Sequence, residues 1–569
     1  MRGILERDTQ VGHETQDDTS PSPSDYGSFR TSEAGVNYVS SSHWAAVLDS
    51  ITDLRDHITQ DDEAYPKVLD PAPPSTSFPK PQLLYSCALH ESSASILSSL
   101  PPRPIVDRAT AIVKYQLNLL VFQQSFSDTD ALFSPEASGH KSQTRDSPAL
   151  IEIYKAKAIQ CLLLGHYTNG GPHVLETLIL YFLIENFYLK DMEIGIWVLV
   201  GQIVQIAIHM GYHRDAKHFS SISPFDAEMR RRVWAMIVQL DSSVSTQLGL
   251  PRLVKESDTN TAEPRNLLDS DFDEDTSILP PSKPETDVTP TLYALAKLRL
   301  LPVGASVAEI AMEPHSHPYT EILNIDKRID EARDKIPSSL KWTGLASSLN
   351  VPSQTMIQRI WLEVIIQELK IVLHRKFLEP ARLDVQHDYS RLTCLDAAMR
   401  ILELQHLVDE ETQIGGLLYQ SRWRVSSAFI NDFLLATSVL CLYVQTHHKK
   451  QGTTCGNSGV SEAGPEMDRM KDLLRKSQVI WNRQSASSKE ARKAVIALDY
   501  VLGDTLARIE RSAKELSSAA VPTTSVSYFP DYPDFISNCD LTWPISPTNL
   551  NDVDQWLGGT DFQDVDMTS

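Results

Sequence analysis

The segment from Ser223 to Pro251 constrains the fold more than any other part of the chain. Phe225, Met229, Val233, Met236, Ile237, Leu240, Val244 and Leu248 recur at helical spacing and form one apolar face. Ser223, Pro224 and Asp226 supply a cap, a first-turn proline and an N3 carboxylate. Gly249 and Pro251 stop the helix. Asp226 and Glu228 stand four residues before Arg230 and Arg232, the favourable order for ion pairs on a helix. Arg230 and Asp241 fall on one edge of the apolar face, beside Trp234. They are expected either to form a half-buried ion pair between two helices or to act as a ligand-sensing switch contact.

Similar periodicity predicts helices near 105–125, 148–167, 172–189, 192–212, 290–313, 317–335, 354–378, 388–410, 420–447, 466–484 and 488–517. Pro148 and Pro172 mark two of the starts. Strand-like alternation is short and rare, so the fold class is all-α, with loops at 127–146, 255–290 and 448–465. Residues 1–35 are rich in Ser, Thr, Asp, Gln and Pro and read as a disordered linker. Residues 36–82 hold a short amphipathic helix and a Pro-rich linker. In that helix Trp44, Val47, Leu48, Ile51, Leu54 and Ile58 share a helical period, with Ser42 as the cap. It is either docked on the main domain or free to dimerise. Residues 83–518 form one large multi-helix domain, and 519–569 form an acidic tail.

The chain has 569 residues, 41% of them hydrophobic, consistent with a globular middle and polar ends. Its net charge of −22 repels nucleic acid, and no local basic arm offsets it. The six cysteines, Cys87, Cys161, Cys394, Cys441, Cys455 and Cys539, are widely spaced with no C-x-x-C pair, and free thiols are expected. The opening residues MRGILERDTQ lack the apolar core of a signal peptide. The most apolar run, Val174 to Ile208, is broken by Glu176, Glu185, Lys190, Asp191 and Glu193, so no membrane span is expected.

Several blocks stand in a fixed order. They are Met210-Gly211-Tyr212-His213-Arg214-Asp215, Pro224 to Trp234, Leu240-Asp241-Ser242, Leu248 to Pro251, Asp258, and Pro264-Arg265-Asn266. Together they resemble the signature region of the regulatory domain in fungal zinc-cluster transcription factors. The signature positions are Gly211, His213, Arg214, Asp215, Phe225, Glu228, Arg230, Arg231, Arg232, Trp234, Asp241, Gly249 and Pro251. The resemblance implies a nuclear transcription regulator controlling a fungal metabolic or secondary-metabolite biosynthetic gene set. Two alternatives stand beside it: a ligand-sensing or co-regulatory helical protein that does not touch DNA, and an all-helical enzyme.

Members of that family read DNA through six clustered cysteines holding two zinc ions, and the scattered cysteines here do not match. The sequence therefore reads as beginning inside or after the family's linker, and DNA enters only by family analogy. Three explanations stay open: a truncated gene model, a regulator acting through a DNA-binding partner, or a domain turned to another use.

The tail interleaves Phe535, Trp543, Trp556 and Phe562 with aspartates and has no Lys or Arg. Such a composition suits an activation segment that meets a coactivator or the transcription machinery, with an inert acidic tail as the alternative. A homodimer, or a heterodimer with a DNA-binding regulator, is the further partner expected.

Other chemistry is not supported. Asp269, Asp271, Asp273 and Asp275 alternate as in a calcium loop, but the sixth position is Glu274 and the twelfth Pro280, so a solvated acidic loop is expected. Gly456-Asn457-Ser458-Gly459 lacks the final glycine and the preceding strand of a nucleophile elbow. His209 and His213 stand four apart without a third ligand at a fixed offset. His374-Arg375-Lys376-Phe377, with Arg382 beyond it, reads as a solvated basic face at a helix end. No catalytic, cofactor or metal residue is assigned.

Overall fold

The computed structural model describes residues 28–32, 35–41, 43–51, 81–85, 96, 147–188, 191–313, 317–378, 385–419, 421, 430–453 and 465–503. Thirteen α-helices account for most of them. They are α1 (Trp44–Asp49), α2 (Gln82–Tyr85), α3 (Ser147–Leu164), α4 (Val174–Tyr188), α5 (Ile194–His209), α6 (Pro224–Leu248) and α7 (Pro290–Met312). Then come α8 (Tyr319–Asp334), α9 (Ser353–His374), α10 (Asp388–Glu411), α11 (Ile430–Thr453), α12 (Pro465–Gln484) and α13 (Lys489–Leu502). The all-α expectation holds.

The helices bury their apolar faces in three clusters. The first joins α3, α4, α5 and α6 around Leu178, Phe182, Leu199, Ile203, Ile237 and Leu240. The second joins α7, α8 and α9 around Leu292, Val303, Ile329 and Ile366. The third joins α1 with α9 through α13 around Leu402, Val439, Leu474, Trp481 and Leu498. Helix α9 belongs to both of the last two. Leu362, Ile366 and Leu373 point into one cluster, and Ile360, Val364 and Ile371 into the other. A helix apolar on both faces is an interior helix, and α9 is the strut between the two halves.

The sequence bounds of α6 match those observed. The Ser223 hydroxyl accepts from Asp226 N at 3.0 Å, Pro224 sits in the first turn, and Gly249 closes the helix at φ 64°. Only glycine takes that backbone without strain.

Several expectations are corrected. Ser28–Ser32 pairs antiparallel with Gly35–Val39, so the segment read as disordered up to residue 35 carries a hairpin strand. The imidazole of His43 caps α1, accepting from Ala45 N at 3.2 Å, and Ser42, the cap expected, lies outside the described residues. In α1 and the turn after it, Trp44, Val47, Leu48 and Ile51 are buried in the third cluster, which supports docking over free dimerisation. Helix α11 runs on to Thr453, past the loop start placed at 448. The last helix described ends at Leu502, where Gly503 turns at φ 80°, and residues 504–517 of the stretch read as helix lie outside the described residues. The helix predicted near 105–125, the loop 127–146, Gly456 to Gly459 and the whole tail lie outside the described residues.

The basic segment at the end of α9 is not a solvated face. His374 and Arg375 are buried. His374 Nδ1 lies 2.9 Å from Ser390 Oγ, and Nε2 lies 3.2 Å from Asp326. Lys376 donates to the carbonyls of Ile310 and Glu313. These groups tie α7, α8 and α10 to α9, and the polar string in the sequence concealed that role.

Candidate functional site

The signature residues meet at one joint, where the end of α5 and the segment 250–289 fold onto α6. Helix α5 ends in a left-handed turn. Gly211 has φ 75°, its N–H bonds Ile208 O, and the N–H of Tyr212 bonds Ala207 O. Arg230 of α6 locks that turn. Its Nη2 donates to Met210 O at 2.7 Å, and its guanidinium lies 4.1 Å above the Tyr212 ring.

Asp215 is fully buried four residues on. Its carboxylate takes a two-pronged bond from Arg231, Nε to Oδ2 and Nη2 to Oδ1, both at 2.9 Å. It also accepts from Lys217 N and Ala262 N. The Arg231 hydrogen bonds hold its carboxyl well below the usual carboxylate range. The neighbouring Arg214 is exposed.

The loop is threaded back by hydroxyls and an amide. Trp234 Nε1 donates to Thr259 Oγ1, which donates to His213 O. Thr261 donates to Tyr212 O, and Asn260 Oδ1 accepts from Asp215 N. The His213 ring lies 6.4 Å from Trp234, and burial lowers its pKa.

Two further buried carboxyls hold the far side. Asp241 accepts from the N–H groups of Leu253 and Val254. Glu228 accepts from Arg265 N at 2.9 Å and from Arg232 Nε at 3.4 Å. Burial raises both of these pKa values, against the pull of those donors. Asn266 donates to the carbonyls of Lys283, Pro284 and Asp287 and accepts from the Thr289 hydroxyl. Phe225 packs 5.7 Å from Phe272, and Pro251 O accepts from Ser245 Oγ.

The structure thus brings the signature together but redistributes its pairs. Arg230 and Asp241 do not meet: each serves a main-chain segment instead. Glu228–Arg232 forms as expected, whereas Arg230 bonds Met210 O in place of an Asp226 partner. The acidic loop is partly neutralised, since Asp269 pairs with Arg232 at 2.8 Å and Asp271 with Lys283 at 2.9 Å. Thr259, Asn260 and Thr261 were missed as site residues. Their only signal is a run of small hydrogen-bonding residues between Asp258 and Pro264. Asp215, Glu228 and Asp241 each accept from main-chain amides, so these buried carboxyls position chain.

Further hollows lie elsewhere. A charged groove of about 460 Å³ is bordered by Arg333, Lys370, Arg400 and Arg469. Glu363 and Glu403 pair with three of them, and Lys370 pairs with Asp326 and Asp330. The second is a cleft with about 150 Å³ of inner space between α4, α6, α7, α9 and α11. Leu300, Val307, Ile365 and Leu369 line it, with Gln239, Lys297, Glu368 and Asp432 among them. Among the described residues, no group of three or more His, Cys, Asp or Glu is placed to hold a metal, and no helix is long and apolar enough to cross a membrane. Cys161, Cys394 and Cys441 are free thiols.

Residues 126–302 match the fungal specific transcription factor domain, a span that contains the whole joint and ends inside α7. Pyrrolocin cluster transcription factor fsdR of Fungal sp. (strain NRRL 50135) is 58% identical over 98% of this chain and 78% of its own length. The chain belongs to the fungal-specific transcription factor family. It is a transcription regulator. Transcription factor phm2 of Pyrenochaetopsis sp is 51% identical over 96% of this chain and 78% of its own. Equisetin cluster transcription factor eqxF of Fusarium heterosporum is 38% identical over 95% and 81%. No solved structure matches the chain. In this family member, Phe535, Trp543, Trp556 and Phe562 lie outside the described residues.

Proposed function

We propose that this transcription regulator works in the nucleus and controls the genes of one fungal secondary-metabolite biosynthetic cluster. One observation carries that reading. Relatives named for the pyrrolocin, fusarisetin A and equisetin clusters align with 98%, 85% and 95% of the chain, at 58%, 41% and 38% identity. In this reading the joint holds the regulatory domain in one shape, DNA is engaged in the manner of the family or through a partner, and the acidic tail recruits a coactivator. The tail's carboxylates oppose collapse, so its aromatic side chains remain open to a shallow apolar groove.

Deleting the gene in its host should silence one set of co-located biosynthetic genes, read by transcript sequencing. An unchanged transcript profile under producing conditions would sink the reading. For the tail, residues 528–569 fused to an unrelated DNA-binding domain should drive a reporter. Replacing Phe535, Trp543, Trp556 and Phe562 together by Ala should abolish that output at unchanged charge. A fusion that is expressed and nuclear yet silent would remove the activator role.

A further inference from the structure

The cleft between α4, α6, α7, α9 and α11 carries a recognition pattern that packing alone does not explain. Gln239 projects from the middle of α6 and is 4% exposed. Its amide nitrogen donates to Ala294 O at 3.1 Å, while its Oε1, at the cleft wall, has no partner. A buried acceptor left open is costly, and an N–H or O–H from a ligand would satisfy it.

Four ionisable side chains stand in the wall: Glu368, Asp432, Lys297 and Arg252. Glu368 and Asp432 are hydrogen-bonded to each other, which requires a shared proton. Burial raises both carboxyls, so the pair presents at most one negative charge near neutrality. Lys297 and Arg252 line the same cleft as cations. Burial lowers the Lys297 ammonium to about 7, and a bound anion would hold it in its charged form.

The rest of the wall is apolar. Leu300, Val307, Ile365 and Leu369 face the space, and Gly304 keeps it open beside Leu369. An inner volume of about 150 Å³ is the size of a cavity that admits one benzene-like ring.

We propose that this cleft binds a small amphipathic organic acid, with a ring-sized apolar body against the leucine-rich wall, a carboxylate facing Lys297 and Arg252, and a hydrogen-bond donor on Gln239 Oε1. The site borders the joint at Arg252, beside the Leu253 amide that Asp241 holds, and runs along α6 past Gln239, Ser242 and Ser243. A molecule bound there touches α6, α7 and α9 together, so it bears on how the N-terminal and C-terminal halves sit against each other.

The test uses purified full-length protein, so its outcome is independent of any transcriptional output. N-acetylphenylalanine combines ring, carboxylate and N–H, and its methyl ester keeps all but the charge. Calorimetry should show one saturable site for the acid with a Kd of about 1 mM or tighter. The ester should bind at least about tenfold more weakly. Lys297→Met should erase the difference between acid and ester, and Gln239→Leu should weaken both. Ala308→Trp, which fills the cleft, should abolish both. If Lys297→Met does not fold, Arg252→Gln serves for the charge, and the wild-type acid-to-ester ratio needs no variant. Equal affinity for acid and ester, no saturable binding, or unchanged binding in Ala308→Trp would overturn the proposal.

Discussion

The joint around α6 and the bundle of α9 to α13 are held by different means. In the bundle, Leu402, Val439, Leu474 and Leu498 are at most 1% exposed and pack apolar faces of regular helices. Each helix satisfies its own main chain, so side chains are left to exclude water. In the joint, the segment 250–289 has only short 3₁₀ turns. Several of its amides find acceptors outside the segment, Leu253 and Val254 on Asp241, Arg265 on Glu228 and Ala262 on Asp215, while Asn266 within it holds the carbonyls of Lys283, Pro284 and Asp287. In the joint, buried polar side chains hold irregular main chain.

That contrast is most exposed to failure at Asp215. Asp215→Ala leaves the Arg231 guanidinium and two amides without an acceptor, so it should cost about 3–5 kcal/mol in urea unfolding. A cost below about 1 kcal/mol would mean water already reaches the joint. The sign of the pH effect follows from the depressed carboxyl. Its contribution is present above the unfolded value, about 3.9, and is lost as pH falls toward the lower folded value. The wild type should thus lose stability below about pH 4 more steeply than Asp215→Asn does.

Leu240→Ala in α6 and Leu402→Ala in the bundle should each cost about 2–5 kcal/mol, because both side chains are fully buried. Near-equal losses sharpen the comparison, since they show that apolar packing is common to both regions and that the polar network is added to it. A loss at Leu240 under half that at Leu402 would show the joint's core to be loosely packed.

The smallest effect is expected at Thr259→Val, which removes the hydroxyl between Trp234 and His213 O at a cost of about 1 kcal/mol. Thr259 and Asp215 act on the same short stretch, so their double mutant should be non-additive by about 0.5 kcal/mol or more. Asp215→Ala with Leu402→Ala should be additive.

Legibility in the sequence follows the same division. The bounds of α6 and α7 were readable because Ser223-Pro224 and Thr289-Pro290 cap and start a periodic stretch. Of the helix read at 420–447, residues 430–447 fall in α11, and 420 and 422–429 lie outside the described residues. In the joint, periodicity is silent. Nothing in the spacing of Asp215, Arg231 and Ala262 announces that they meet, and the family's blocks alone brought those segments to notice. Arg230 and Asp241 share an edge of α6 as read, but partner choice depended on where the main chain of 210 and 253 passes, which a helical wheel cannot supply. The cleft was invisible for the same reason, since Gln239, Lys297 and Glu368 sit on three different helices.

Asn266 has one more consequence. Its side chain binds carbonyls 17, 18 and 21 residues downstream, and Arg265 reaches those of Leu279 and Pro280. The two ends of the stretch between them are thereby fastened to each other independently of its contents. Its tip, around Glu274 to Ile278, faces solvent for the most part. Residues gained or lost there over evolutionary time would leave α6 and α7 in place, and a proteolytic nick there would leave two fragments that still travel as one particle.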